Sequence, residues 1–272
     1  MTVLVVGASG YLGSELAAQA SAAGHPVTGT STTGTGGWLR LDVTDRSATH
    51  QLLASVRPQL VINTAYRNTS WTVCADGAAN VALAAAAVGA RLVHISSDAL
   101  HAGRPAPYLD DDEPTPVHRY GAAKAAAETA VAAIMPAAPI VRTSLIIGDE
   151  RSKQIQLALG LLNGSVTGAL FSDEFRRPVA VHDLAAAVLE LDALGYSGLI
   201  NVAGPETVSR DGFGRMVARA YGQDPGLIPV STIAEGGLGP RPANVLLDSS
   251  RAAALLKTRL RPASECVGPP GL

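Results

Sequence analysis

Short, nearly continuous apolar runs alternate along the chain with longer Ala-rich stretches whose apolar positions recur at helical spacing. The runs Val3 to Val6, Val27 to Thr30, Trp38 to Leu41, Leu60 to Asn63, Arg91 to Ser96, Pro139 to Arg142 and Leu199 to Val202 are apolar enough to be strands covered on both faces. Helices are predicted between them, over Tyr11 to Ala23, Asp45 to Val56, Ala75 to Val88, Arg119 to Ile134, Asp183 to Leu194 and Asp211 to Tyr221. This alternation predicts βαβ units, and therefore an α/β fold around a parallel sheet. It loosens over Ile146 to Pro178 and again after Ala203, where Gly and Pro are frequent. Those pieces are expected to combine into a small second lobe.

Composition narrows the classes. The chain has 272 residues, of which 47% are hydrophobic and 16% charged, enough to build a large core without disulfide or metal staples. With 21 Lys and Arg against 23 Asp and Glu, the formal charge is −2. No basic stripe is present to neutralise a nucleic acid or an anionic membrane. Cys74 and Cys266 are far apart and in no ligand-like spacing, which argues against a disulfide framework and a metal site. The Ala-rich run from Val81 to Ile95 is broken by Gly89, Arg91 and His94, short of a membrane helix, and the first residues read as a strand and not as a signal. A cytoplasmic protein with no nucleic-acid or membrane partner is expected. The tail from Arg259 to Leu272 is expected to be loosely held.

Chemistry enters at the first strand. Val3-Leu-Val-Val6 runs directly into Gly7-Ala-Ser-Gly10-Tyr-Leu-Gly13 and then a helix, which places GxxGxxG where a dinucleotide pyrophosphate rests on a helix N-terminus. The expected architecture is thus a Rossmann-type doubly wound parallel sheet with a small C-terminal substrate-binding lobe. Residues 1–145, completed by about 178–202, would bind NAD(P), and 146–177 with 203–272 would form the lobe. Where an acidic residue would hold an NAD ribose, the chain has Thr30-Ser31-Thr32-Thr33, with Arg40 a little further on, so NADP(H) is favoured over NAD(H). Arg40 reads equally well as an ordinary surface residue. Asp42 is a candidate for the adenine amino group, or else belongs to the N-cap region of the next helix. Asn80 reads either toward the cofactor or toward neighbouring loops.

The fifth strand ends in Ser96-Ser97-Asp98, and Tyr120-Gly-Ala-Ala-Lys124 opens the following helix with Tyr and Lys one turn apart on one face. Carbonyl reduction needs a proton for oxygen, and a phenol can supply it when a nearby cation stabilises its anion. Ser97 is placed to hold the substrate oxygen beside Tyr120. His94, inside an apolar strand, reads as a satisfied core histidine, and the acidic run Asp110 to Glu113 as a solvated face.

These residues carry a resemblance to the extended short-chain dehydrogenase/reductases. More narrowly, the chain resembles the dTDP-4-dehydrorhamnose reductase family of sugar-nucleotide-binding proteins. The likeness spans the glycine motif, Asn63 to Tyr66, Ser96 to Asp98, the Pro-rich loop, Tyr120 to Lys124 with Glu128, Arg142 to Ser144, Arg177-Pro178 and Arg241-Pro242. It departs at Ala99-Leu-His-Ala-Gly103 and Leu145-Ile-Ile-Gly148, where the family usually carries aromatic residues. The resemblance implies a catalytic triad of Ser97, Tyr120 and Lys124 and an NAD(P)H-dependent reduction of a nucleotide-linked keto-sugar. A sugar-nucleotide epimerase or dehydratase, or a non-catalytic dinucleotide-binding regulatory subunit, are the alternatives. The expected cofactor set is Gly7, Ser9, Gly10, Tyr11, Leu12, Gly13, Thr30, Ser31, Arg40, Asp42, Val43, Ala65, Tyr66, Asn80, Ser96, Tyr120 and Lys124. The expected substrate set is Ser97, Asp98, Thr143, Arg177 and Arg241, the two arginines as candidates for a diphosphate. No metal is expected, and the chain is compatible with a homodimer.

Overall fold

A computed structural model describes residues 1–237 and 239–268. The main sheet is built from β1 (Val3–Val6), β2 (Val27–Ser31), β3 (Leu39–Arg40), β4 (Leu60–Asn63), β5 (Arg91–Ile95), β6 (Pro139–Thr143) and a last strand, Gly198–Val202. The spatial order is Gly198–Val202, β6, β5, β4, β1, β2, β3, and all neighbours are parallel. The chain therefore winds outward in both directions from a switch point between β1 and β4, the crevice where doubly wound sheets bind ligands.

Helices cover both faces because the strands are apolar on both. Helices α1 (Tyr11–Ala22) and α7 (Val181–Ala193) bury Leu12, Leu16, Leu184 and Val188 against Val3, Val5 and Ile200. On the other face α2 (Arg46–Val56), α4 (Asp76–Val88) and α5 (Arg119–Ile134) close over Leu4, Val6, Val61 and Leu92. A short α3 (Trp71–Cys74) precedes α4. The stretch Trp71–Val88 has the length and apolarity of a membrane crossing, with a mean hydropathy of 1.4. Here it is two helices, the longer of them packed between α2 and α5.

Outside the main sheet the strands shorten to two residues. Ile146–Ile147 pairs with Val179–Ala180, and Phe175–Arg176 lies between Val208–Ser209 and Asn244–Val245. Helices α6 (Lys153–Leu162) and α8 (Arg210–Ala220) pack together over Ile147, Ile155, Phe213 and Val217. The tail is better held than its composition suggests. The Arg261 guanidinium pairs with Asp183 at 2.7 Å and Ala263 is fully buried; residues 269–272 lie outside the described residues.

The acidic run is a solvated face only in part: Asp111 and Glu113 are exposed, while its other two carboxylates are held by protein. Asp110 is 5% exposed and accepts the main-chain N–H of Asn201, while Asp112 pairs with Arg104. The loop is tied to the sheet by Arg142 of β6, whose Nη1 donates to the carbonyls of Asp110 at 3.0 Å and Asp112 at 2.8 Å. The same guanidinium, 1% exposed, grips Glu128 of α5 with Nη2 to Oε2 at 2.8 Å and Nε to both carboxylate oxygens. Ser96, at the end of β5, donates its hydroxyl to Glu128 Oε1. One buried ion pair thus joins β5, β6, α5 and the loop.

Removing one partner of such a pair strands a charge in the core. Glu128→Gln is expected to cost roughly 3–5 kcal/mol in urea unfolding, and an apolar replacement of both residues, Glu128→Leu with Arg142→Met, to recover most of it.

Candidate active site

The glycine loop leaves room and donors for a phosphate. Gly7 has φ +86°, and a Cβ there would lie 2.9 Å from Thr64 Oγ1 and 3.1 Å from the Ala65 nitrogen. At Gly13 a Cβ would come within 2.2 Å of the Gly7 carbonyl oxygen, so α1 packs on the loop only because that position is glycine. Gly10 is the N-cap of α1 and caps it with no side chain. The first-turn N–H groups of α1 thus have no side-chain acceptor and face an exposed Ser9 and Gly10, as a dinucleotide pyrophosphate requires. Leu12 is buried beneath the loop.

Several residues of the expected cofactor set shape the loops at this end of the sheet. Thr30, 1% exposed, accepts the Gly7 N–H through its hydroxyl, and Ser31 accepts the N–H of Gly34 at 2.9 Å. Ser96 is spent on Glu128 and Val43 is core. Asn80 donates to the carbonyl of Val43 at 2.9 Å, so of its two readings the structure shows the neighbouring-loop one. Asp42 is exposed, accepts from the N–H and hydroxyl of Thr44, and is held below its ordinary pKa chiefly by those bonds. The cap of α2 is Asp45. Arg40 is exposed at the end of β3, beside a β2 tip with no carboxylate. Ala65 is partly buried, and Tyr66 is exposed and accepts from Lys153 Nζ at 3.1 Å. Tyr11 likewise accepts the Asp149 N–H at 3.0 Å. The start of α6 and the segment before it thereby meet Tyr66 and Tyr11.

Tyr120 and Lys124 share one face of α5, whose N-terminus is capped by His118 Nδ1 accepting the Gly121 N–H. Gly121 is obligatory for this docking, since a Cβ would sit 2.1 Å from the Ala99 carbonyl oxygen. Lys124 is 2% exposed and donates to the Ile95 carbonyl at 2.6 Å; burial lowers its pKa from 10.5 to about 8. The Tyr120 ring packs in the small cluster of Cys74, Ala75 and Ala123. Burial pushes its phenol well above the ordinary value, and the Ser97 hydroxyl acts in the opposite sense. Ser97 caps the short turn Asp98–Leu100 by accepting the Ala99 N–H, and donates to Asp98 Oδ1 at 3.3 Å. The strand-tip alcohol, the phenol and the ammonium thus converge at the carboxyl end of β5, in the sheet whose next strand but one carries the glycine loop.

His94 is buried as expected but only half satisfied. Its Nδ1 lies 3.4 Å from Asn63 Nδ2, while Nε2 has no partner among the described residues. Burial, and then the Lys124 charge, hold it neutral with a pKa well below the ordinary value.

A second polar cluster starts one residue from Ser97. Asp98, 6% exposed, accepts from Ser144 Oγ at 2.7 Å and lies 3.6 Å from Arg176 Nε; burial raises its pKa against those partners. Thr143, preceding Ser144 in sequence, is buried, and its hydroxyl has no partner among the described residues. Arg176 reaches Glu174, which also pairs with Arg241 and Arg210. Arg177 does not join this cluster. Its Nη1 donates to the Leu247 carbonyl at 2.9 Å and its Nε to Thr207, and it lines a separate cavity of about 480 Å³ with Gly204, Ser249 and Lys257. Successive side chains leave an extended segment on opposite sides, so choosing between adjacent arginines needed the strand's facing. Arg176, Glu174 and Arg210 had no motif to mark them.

Comparison with known proteins agrees with this geometry. The family model described as RmlD substrate binding domain matches residues 1–268. The dTDP-4-dehydrorhamnose reductase of Mycolicibacterium smegmatis is 32% identical over 274 residues, covering 95% of this chain and 81% of the relative. Among solved structures, a dTDP-4-dehydrorhamnose reductase from Clostridium acetobutylicum superposes with a TM-score of 0.86 at 26% identity, covering 98% of this chain and 96% of that one. The Bacillus anthracis dTDP-4-dehydrorhamnose reductase in complex with NADP gives a TM-score of 0.85 at 25% identity, covering 97% and 96%.

The buried Lys124 has a signature in stability. Its folded pKa of about 8 lies below the unfolded value of 10.5, so the unfolded chain holds more protons between them. This residue's burial penalty is full below pH 8 and is relieved as pH rises to 10.5. Unfolding free energies measured across that window should therefore gain a rising contribution, of at most about 1.4 kcal/mol per pH unit, that Lys124→Met abolishes.

Proposed function

Because the chain belongs to the RmlD substrate binding domain family, we propose that it is an NADPH-dependent reductase acting on a nucleotide-linked keto-sugar of the dTDP-4-dehydrorhamnose class. The observation that carries the reading is the convergence of Ser97, Tyr120 and Lys124 at the tip of β5, beside an uncapped glycine loop. The names of the aligned reductases supply the substrate class, and the NADP complex of the Bacillus anthracis relative supports the cofactor. Ser31, Thr32, Thr33 and the exposed Arg40, with no acidic side chain among them, suit a 2′-phosphate.

The residues divide the work as follows. The N–H groups at the start of α1 hold the pyrophosphate, with Gly7 and Gly10 keeping the approach open. Bound nicotinamide supplies the hydride for the carbonyl carbon. Tyr120 donates the proton to the carbonyl oxygen, and burial keeps its phenol protonated at neutral pH until that moment. Lys124, as ammonium, has three N–H donors, one of them fixed by Ile95. The remaining two are free for ribose hydroxyls, and its charge stabilises the phenolate left on Tyr120. Ser97 holds the carbonyl oxygen within reach of Tyr120. Asp98 and Ser144 fix the turn that carries Ser97.

Two outcomes test this reading. Tyr120→Phe is expected to lower kcat for NADPH oxidation with a dTDP-linked 4-keto-sugar by about 10²-fold or more, with NADPH affinity by fluorescence titration unchanged; native turnover in that variant refutes the role. Lys124 must be charged and Tyr120 titrates far higher, so kcat should fall as pH rises through about 8. The midpoint belongs to Lys124 if Lys124→Arg, when active, moves that limb upward.

A further inference from the structure

We propose that the hydroxyls of Tyr11 and Tyr66 clasp the turn Asp149 to Lys153 across the mouth of the cofactor crevice, and so set how fast the dinucleotide enters and leaves. This rests on the dinucleotide reading above and goes beyond it by naming the residues that govern exchange. The crevice has two lips. One is the glycine loop with Tyr11, the first residue of α1, and the other is the segment after β4 that carries Tyr66. They stand close together, since a Cβ on Gly7 would lie 3.1 Å from the Ala65 nitrogen. The turn bonds to both. The Asp149 N–H donates to Tyr11 Oη at 3.0 Å, and Lys153 Nζ donates to Tyr66 Oη at 3.1 Å. A cation also lies over each ring, the Arg151 guanidinium 5.3 Å from the centre of Tyr11 and Lys153 Nζ 5.2 Å from that of Tyr66. Gly148 permits this approach: its φ is +153°, and a Cβ there would fall 2.5 Å from Tyr11 Oη.

The two tyrosines mark the two ends of the path. Tyr11 opens the helix whose N-terminus takes a pyrophosphate, while Tyr66 stands near enough to Tyr120 for its charge to act on that phenol. A dinucleotide with its phosphates on α1 and its nicotinamide at Tyr120 therefore passes beneath the turn. The turn is stiff within and lightly held at its ends. Ser152 is fully buried, donates from Oγ to the Ile146 carbonyl at 2.8 Å, and gives its N–H to the Asp149 carbonyl at 3.0 Å. Arg151 Nη2 meets Asp149 Oδ2 at 2.7 Å. Against these internal bonds, the hold on the lips is one hydrogen bond to each tyrosine hydroxyl, and bonds of that kind break and re-form on the timescale of loop motion. The turn then moves as a unit. Both contacts join protein to protein, so the clasp acts on entry as well as on exit.

The test is stopped-flow fluorescence of NADPH binding and release in the wild type, Tyr11→Phe, Tyr66→Phe and the double variant. Each substitution keeps the ring and removes one hydroxyl. Each single variant should raise both the association and the dissociation rate constant about threefold or more, and the double variant about tenfold, with Kd shifting less than either rate. Unchanged rates in the double variant overturn the proposal. So does faster dissociation with unchanged association, the mark of a hydroxyl that touches the dinucleotide and clasps nothing. Should a tyrosine variant misfold, shown by loss of the near-ultraviolet circular dichroism, Lys153→Met decides: a rise in both rates supports the clasp, and unchanged rates overturn it. A second readout needs no cofactor. Hydrogen exchange of the Asp149 amide, which bonds Tyr11, should quicken about threefold or more in Tyr66→Phe because the two ends open together, whereas unchanged exchange overturns the clasp. Failure of the dinucleotide reading looks different: NADPH then binds none of these proteins, while the Asp149 amide still responds to Tyr66→Phe.

Discussion

The geometry at the tip of β5 depends on the buried pair between Arg142 and Glu128. Helix α5 has a nearly featureless alanine surface, which slides and rotates easily against a smooth sheet. Tyr120, Lys124 and Glu128 fall on one stripe of it at intervals of one turn, so whatever fixes Glu128 fixes the other two. Arg142 fixes it from β6 and Ser96 from β5. The same guanidinium holds the carbonyls of the loop that leads into α5. Charges confined in this way specify a position that alanine packing alone leaves open.

With the helix locked, burial does the electrostatic work. Desolvation lowers the Lys124 pKa and raises that of Tyr120. The two effects oppose proton transfer from tyrosine unless each group gains a partner as charge develops. Ile95 supplies a fixed acceptor for the ammonium and Ser97 a hydroxyl for the phenol. The neutral His94 adds no competing positive charge behind Lys124. The site thus holds a cation where an anion will form, in surroundings that exclude water and strengthen the attraction.

Much of this was legible in the sequence because it rests on local rules. Buried parallel strands read as apolar runs, and GxxGxxG between strand and helix has one steric explanation at Gly13. Tyr120 and Lys124 need only helical periodicity. The sequence is silent on which way an extended segment faces. Arg176 and Arg177 are neighbours in sequence, yet one meets Asp98 and the other the Leu247 carbonyl. Thr30 and Ser96 were read as ligand contacts because they stand at strand ends, and Asn80 was read either toward the cofactor or toward neighbouring loops; what the sequence did not show is that their side chains also bond Gly7, Glu128 and Val43. Composition likewise took the Asp110 loop for a solvated face, since the buried donor that Asp110 satisfies, the Asn201 N–H, lies 91 residues away in sequence.

The two buried charge clusters illustrate different uses of the same chemistry. In the first, one guanidinium meets one carboxylate and nearly every donor is spent on protein, so the cluster is closed and serves position. In the second, the guanidiniums of Arg176, Arg210 and Arg241 gather around the carboxylates of Asp98 and Glu174, and Asp98 in turn accepts from Ser97. This cluster therefore ties the arginine-bearing segments of the second lobe to the turn that carries the Ser97 hydroxyl, and it serves position at a different point of the same site.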